Sequence, residues 1–360
     1  MGSDPSGTGH AGGADAPPPA TDTRPSWSRP DDGSPRRRYT VIGLGAVGGY
    51  YGARLAAAGH RVRFIARSDA AHVRAKGLRV ESPDGDLLLR PGDDPIEVHQ
   101  TTEHLDPDDV VVMAVKTTDT DTAARLLDPV VGEHTIVVAL QNGLGVEESL
   151  RQAVPRAEVL GGMCFVCINK AGPGHVRHLD YGAVTIGQHR SGGGSAGITP
   201  AVDAVASDLE AAGIPANRIE DLGTGRWRKL VWNIAYNGLS VVLDAGTDEL
   251  MADPDTRALV EALMWEVLAA ADACGHPIED GFVDYMLRTT DKMTPYATSM
   301  KLDHDAGRPL ELDAIYATPI AMAAAAGYAM VRTDTLHAQL RFLDRASSAP
   351  PTRSPDPSSP

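Results

Sequence analysis

Lys229, Asn233 and Asn237 recur every fourth residue in WRKLVWNIAYNGLS. On an α-helix that spacing puts all three on one face, each step about 6 Å further along the axis. The face offers one cation and two amides that both donate and accept. Such a set suits a small polar substrate, with the lysine near a reacting oxygen and the amides holding the oxygens around it. A polar seam between two packed helices, or a cap, has the same pattern. Gly238, beside Asn237, permits close approach of another element or a kink.

A second segment, TSMKLDHDAGRPLELDAIY, holds Ser299, able to donate to a carboxylate, and Glu311, able to brace a lysine or a substrate hydroxyl. Glu311 is equally an acid that a helix dipole would favour early in a helix. Arg308 is either a clamp or simply exposed. Lys116 ends the apolar run VVVMAVK, and in IVVALQNGLG Gln141 and Asn142 follow another apolar run. In an open parallel sheet, ligands bind outside the carboxyl ends of the strands, where all three fall.

These groups need a platform, and RYTVIGLGAVGGYYGARLAAAGHRVRFIAR (38–67) supplies it. An apolar strand runs into Gly43-x-Gly45-x-x-Gly48, then a helix, then a second strand. Gly43 permits the tight turn, Gly45 lets backbone approach a pyrophosphate, and Gly48 lets helix and strand pack closely. Helix N-terminal amides would meet the phosphates. The turn Gly43, Leu44, Gly45, Ala46, Val47 and Gly48 is therefore expected to bind a dinucleotide. The second strand ends at Arg67, where an NAD site commonly has Asp or Glu. A guanidinium there pairs with a 2′-phosphate, so NADPH is expected, with Asp69 as the nearby acid that argues for NADH.

Further strands are expected within Leu78–Leu89, DPIEVHQT, DVVVMAVK, TIVVALQNG, GGMCFVCINK and HVRHLDYGAVTIG, and helices at 118–127 and 201–212. SGGGSAG reads as a surface loop. From Trp227 onward the periods are helical: RKLVWNIAYNGLSVVLD, TRALVEALMWEVLAAADACG, EDGFVDYMLRTTDK, LDAIYATPIAMAAAAG and TDTLHAQLRFLDRA. The expected organisation is a disordered polar leader over 1–37, an α/β dinucleotide-binding domain of Rossmann type over 38–218, a mostly α-helical C-terminal domain over 219–345, and a disordered tail over 346–360.

Composition narrows the function. The net charge of -15 lies outside residues 1–38, where five Arg offset five Asp, and it argues against a nucleic-acid-binding surface. No secretory h-region and no membrane-spanning apolar run occurs. Cys164, Cys167 and Cys274 make no disulfide framework, and reduced thiols in a cytoplasm follow. No metal site is expected: Cys164-x-x-Cys167 lies in an apolar extended stretch whose alternation puts the two thiols on opposite faces. His175 and His178 read as surface or turn residues, and Asp69, Asp291 and Asp305 as solvated.

With GLGAVG, AVK, QNG, WRKLVWNIAYN and SM…ELD in that order over about 39–340, the chain resembles the 2-dehydropantoate 2-reductase (ketopantoate reductase) family. The resemblance implies a Rossmann domain and a helical domain with the site in the cleft between them. It implies NADPH-dependent reduction of 2-dehydropantoate to (R)-pantoate, in pantothenate and coenzyme A synthesis. By residue, it implies Lys229 as catalytic general acid and Glu311 as the acidic site residue. Asn233, Asn237 and Ser299 would bind substrate, Lys116 and Asn142 would serve both cofactor and substrate, and Arg67 would read the NADPH phosphate. A homodimer follows by the same analogy. The chain departs from typical members after Asn237 and in GGMCFVCINKAGPGHVRH. A reductase of another 2-oxo acid, or a non-catalytic NADPH sensor, therefore stands beside the main expectation.

Overall fold

The computed structural model describes residues 36–295 and 297–348. The leader and tail expected at the two ends fall, for residues 1–35 and 349–360, outside the described residues. Arg36 and Arg37 are docked: Arg37 Nη1 donates to Asp208 at 2.6 Å and Arg36 Nη1 to the Ala58 carbonyl at 3.1 Å.

The first unit is β1 (Arg38–Ile42), α1 (Ala46–Ala57) and β2 (Arg61–Ile65). There follow α2 (Ala70–Lys76), β3 (Leu78–Glu81), β4 (Leu87–Leu89), β5 (Ile96–His99), β6 (Val110–Met113), α3 (Thr120–Ala124) and β7 (Ile136–Ala139). Then come α4 (Val146–Ala153), the long strands β8 (Glu158–Gly172) and β9 (His175–Gln188), α5 (Pro200–Ala211) and β10 (Ala216–Arg218). Among the described residues these strands make one sheet, ordered β4-β3-β9-β8-β7-β6-β1-β2-β5, with β10 also on β9. The centre is parallel, and β6 reads VVVM because both its faces are buried. One core cluster packs α1 and α5 on one face, and another packs the segments around α3 and α4 on the other.

The helical part is α6 (Leu222–Val242), α7 (Thr247–Ala252), α8 (Pro254–Ala273), α9 (Gly281–Thr290), α10 (Ser299–Asp305), α11 (Thr318–Ala325) and α12 (Val331–Ser348). Asp221 starts α6 by accepting from the Thr224 amide at 3.2 Å and hydroxyl at 2.8 Å. Asp253 caps α8 ahead of Pro254 by accepting two amides, at 3.0 and 2.9 Å. Helices α6 and α8 bury Trp227, Leu230, Ile234, Val260 and Leu263 in a third cluster. The observed architecture is the expected α/β part followed by helices. No helix among the described residues is long and apolar enough to cross a membrane.

Local departures have local causes. Leu78–Leu89 is not one strand but a hairpin, because Gly85 turns at φ 108°. The helix expected over 118–127 is a 3-10 turn at Thr117–Asp119 and the short α3. LDAIYATPIAMAAAAG is interrupted by a π-helical turn at Asp313–Ala317, ahead of Pro319, which has no N–H to continue the ladder. Register shifts at Phe165/Val166 and Cys167/Ile168 place the extra residues, Gly182 and Leu179, in β9, while β8 runs on through Cys164 and Cys167, both of them buried. His178 is no surface residue: it is buried in β9, against Tyr50 at 4.5 Å and the Ser82 hydroxyl at 2.8 Å. Asp291 and Asp305 are paired rather than merely solvated, with Arg257 and Lys301 respectively.

Candidate active site

The glycine turn has the geometry of a pyrophosphate cradle. Gly43 adopts φ 105°, and a Cβ there would lie 2.8 Å from Val115 Cγ1. At Gly48 a Cβ would lie 2.1 Å from the Gly43 carbonyl oxygen, so helix and turn pack at a distance only glycine allows. At Gly45 a Cβ would meet nothing within 4 Å. That open space fronts the first amides of α1, where Ala46 and Val47 begin the helix and Leu44 is buried beneath it. The residues present therefore fit a dinucleotide phosphate.

At the end of β2, Arg67 is 78% exposed and reaches Asp119 in a long ion pair of 3.4 Å. Asp69 is turned the other way. It is buried, accepting from Lys170 Nζ at 2.8 Å, the Gly174 amide at 2.9 Å and the Ser68 hydroxyl at 3.0 Å. Burial pushes its carboxyl up, but the Gly174 amide and the Lys170 ammonium together hold it below its ordinary pKa. The expectation of a solvated Asp69 is thus corrected. Its oxygens tie the β8–β9 tip to the sheet, which leaves the exposed Arg67 as the side chain facing solvent at this strand end.

The ends of β6 and β7 face the helical part. Lys116, half-buried, pairs with the buried carboxylate of Asp303 on α10, which also takes Arg308 Nε at 2.9 Å. The next residue, Thr117, donates its amide and its hydroxyl to Glu311 Oε1, both at 2.9 Å. Glu311 therefore braces the strand end after Lys116 and makes no hydrogen bond to Lys229. Its charge still helps to hold the proton on Lys229. Asn142 is half-buried in the turn after β7. That turn is clamped across the cleft: Gly143 adopts φ 88°, where a Cβ would lie 2.4 Å from the Ala314 carbonyl oxygen, and the Leu144 amide donates to the same oxygen at 2.9 Å. Gln141 donates to Thr120 Oγ1 at 2.8 Å, while its own Oε1 is buried without a partner.

Helix α6 carries the remaining groups. Lys229 is half-buried, and its Nζ donates to the Cys164 carbonyl at 2.7 Å. Its pKa is lowered to about 8, chiefly by burial; the nearby Arg226 acts in the same direction, and Cys164 and Glu311 oppose it. One turn on, Asn233 is 6% exposed and its Nδ2 has no partner. Such an orphan donor is costly unless a ligand accepts from it. Asn237 is buried on the same face. Ser240 donates to the Asn237 carbonyl at 3.1 Å and meets Thr298 Oγ1 at 2.8 Å. Thr298 caps α10, so this contact sets Ser299, exposed at the first residue of α10, beside the far end of the row. Gly238 is a site of close approach: a Cβ there would lie 2.6 Å from Tyr316 Oη, and that hydroxyl donates to the Ile234 carbonyl at 3.0 Å.

Residues that spacing did not single out hold this arrangement. Arg226 is 2% exposed, donates through Nε to Glu147 at 2.8 Å, and donates to the carbonyls of Gln141 at 2.6 Å and Ala139 at 3.2 Å. One side chain thus joins α6, α4 and the end of β7. Asp303, Thr117 and the Cys164 carbonyl belong to the same group. The local clue to Asp303 is its place one helical turn beyond Ser299.

Comparison with known proteins fits this geometry. Residues 39–191 match the family model described as ketopantoate reductase PanE/ApbA, and residues 221–344 match its C-terminal counterpart. A 2-dehydropantoate 2-reductase of Nostoc sp. is 48% identical over 308 residues, covering 86% of this chain and 95% of that protein. Two crystal structures of 2-dehydropantoate 2-reductases superpose on the chain with TM-score 0.78. The one from Geobacter metallireducens is 37% identical and covers 85% of this chain and 99% of its own. The one from Methylococcus capsulatus is 32% identical, covering 87% and 99%.

Proposed function

The chain belongs to the ketopantoate reductase family, and on that premise we propose that it reduces 2-dehydropantoate to (R)-pantoate with NADPH, Lys229 acting as general acid. The observation that carries the assignment of roles is the α6 face. A half-buried ammonium with its pKa brought down to about 8 stands in line with a buried amide donor that lacks a partner.

When bound, NADPH supplies the hydride. Gly43–Gly48 would hold its pyrophosphate, and Arg67 its 2′-phosphate. Lys116 and Asn142, at the ends of β6 and β7, would border both cofactor and substrate. As the ketone carbon is reduced, negative charge grows on its oxygen. The Lys229 ammonium, aimed by the Cys164 carbonyl, stabilises that charge and donates the proton. Asn233 Nδ2 gains its missing acceptor from a substrate oxygen, and Asn237 and Ser299 orient the hydroxyl and carboxylate. Glu311 keeps Thr117, and with it the strand end that carries Lys116, against the helical part. A cytoplasmic setting completes the proposal, supported by three cysteines without disulfides.

The test follows NADPH absorbance with 2-dehydropantoate and a panel of other 2-oxo acids. Selective oxidation with 2-dehydropantoate, reduced by about 10²–10⁴ in Lys229→Ala, is expected. Faster turnover of another oxo acid would move the substrate and keep the mechanism. Tight NADPH binding with no turnover of any oxo acid would replace the enzyme by a sensor.

A further inference from the structure

The segment GGMCFVCINKAGPGHVRH forms most of β8 and the start of β9, yet the proposed mechanism uses only its Cys164 carbonyl. Side chains along the first half of β8 alternate between two faces. Gly162 and Cys164 face the core beneath α1: a Cβ on Gly162 would lie 2.5 Å from Leu140 Cδ2, and Cys164 shares a cluster with Tyr51. Gly161 and Met163 face α6, where a Cβ on Gly161 would lie 2.7 Å from Leu222 Cδ1 and a Cβ on Gly225 would lie 2.9 Å from Met163 Cε. Phe165 is the next residue on that α6 face. Lys229 follows Leu222 and Gly225 along α6, and its Nζ rests on the carbonyl immediately before Phe165.

The Phe165 ring is 39% exposed there, packed at 4.5 Å against the Tyr181 ring, itself 38% exposed. Tyr181 is held at φ 61°, a left-handed conformation that a bulky residue rarely adopts. Its amide donates to Asp180 Oδ1 at 2.8 Å, and its carbonyl lies 2.8 Å from Nε2 of the buried His178. Strain maintained by several bonds, with an exposed aromatic ring as its result, is a feature of ligand-contacting positions. Ligand pockets of this kind combine aromatic walls with a few placed polar groups.

We propose that Phe165 and Tyr181 form the apolar wall of the oxo-acid subsite, packing against the alkyl branch beside the ketone, and so determine which 2-oxo acid is reduced. This rests on the reductase reading above. Lys229, Asn233 and Ser299 recognise the oxygens that all 2-oxo acids share. The aromatic pair recognises the two methyl groups that distinguish 2-dehydropantoate from shorter acids.

The experiment measures kcat/KM for 2-dehydropantoate, 3-methyl-2-oxobutanoate and pyruvate in the wild type, Phe165→Ala, Phe165→Leu and Tyr181→Asn. Asparagine tolerates the left-handed backbone at 181. NADPH affinity, read by fluorescence, selects the variants that retain the fold. The expected result is a loss of about tenfold or more on the two branched acids, chiefly through KM, with pyruvate changed by less than about twofold. A branched-to-unbranched ratio that stays at the wild-type value overturns the wall, whether all three activities fall together or none does. If the wild type leaves 2-dehydropantoate untouched, the functional reading fails, and the ratio of 3-methyl-2-oxobutanoate to pyruvate still decides the wall.

Discussion

Lys229 must carry a proton to act, and burial works against that proton. Its ordinary value of 10.5 is brought down to about 8 in the folded chain. The protonated form is the active one, so kcat/KM for the oxo acid is expected to fall about tenfold per pH unit above about 8. Lys229→Arg, whatever activity it retains, should lack that limb. The same shift enters stability with a definite sign. Between about 8 and 10.5 the unfolded chain holds a proton that the folded chain has lost, so stability gains from rising pH across that window. Asn233 gives a second test at this scale. Its orphan Nδ2 costs the free protein about 1–3 kcal/mol. Asn233→Leu should therefore leave the melting temperature unchanged or raised, while KM for the oxo acid rises; a fall in both stability and KM would contradict the assignment. The row of Lys229, Asn233 and Asn237 was legible because helical spacing is local. The partners were not: Thr117 and Glu311 meet 194 residues apart, and no periodicity reports such a pair.

At the scale of elements, α6 can present its polar row only because other faces accept close neighbours. Gly238 admits the Tyr316 hydroxyl and Leu336 where a Cβ would be 2.6 Å from each. Gly238→Ala is expected to cost about 1–3 kcal/mol in denaturant unfolding and to displace Asn237, raising KM more than it lowers kcat. Helices α6 and α8 and the central strands were readable from apolar periodicity, since burial on a fixed face imposes it. What escaped was set by single residues or by distant pairing. Gly85 split one expected strand into β3 and β4, and the extra residues Gly182 and Leu179 in β9 shifted its register on β8. Asp69 reads as a surface acid until the hairpin tip folds onto it.

At the scale of the whole molecule, Arg226 ties the helical part to the sheet through Glu147 and two carbonyls. Arg226→Ala would strand a buried carboxylate at a cost of about 3–5 kcal/mol, whereas Arg226→Met with Glu147→Leu should recover most of that loss. Calorimetry on the three proteins checks it; equal destabilisation by the single and double variants would show that the pair is not the source. The order of strands in the sheet has another consequence, one of timing. The β3–β4 hairpin finds no place beside β2 or β5, its neighbours in the chain; it pairs through Arg79–Glu81 with His175–Arg177 of β9. During synthesis β9 emerges roughly a hundred residues later, and at about 5–20 residues per second the hairpin waits on the order of ten seconds. Throughout that interval the nascent chain carries Leu78 and Val80, fully buried in the finished protein, with the β9 that completes their cover not yet made. A ribosome-bound chain halted before residue 175 should thus be the form most exposed to chaperones and to proteases.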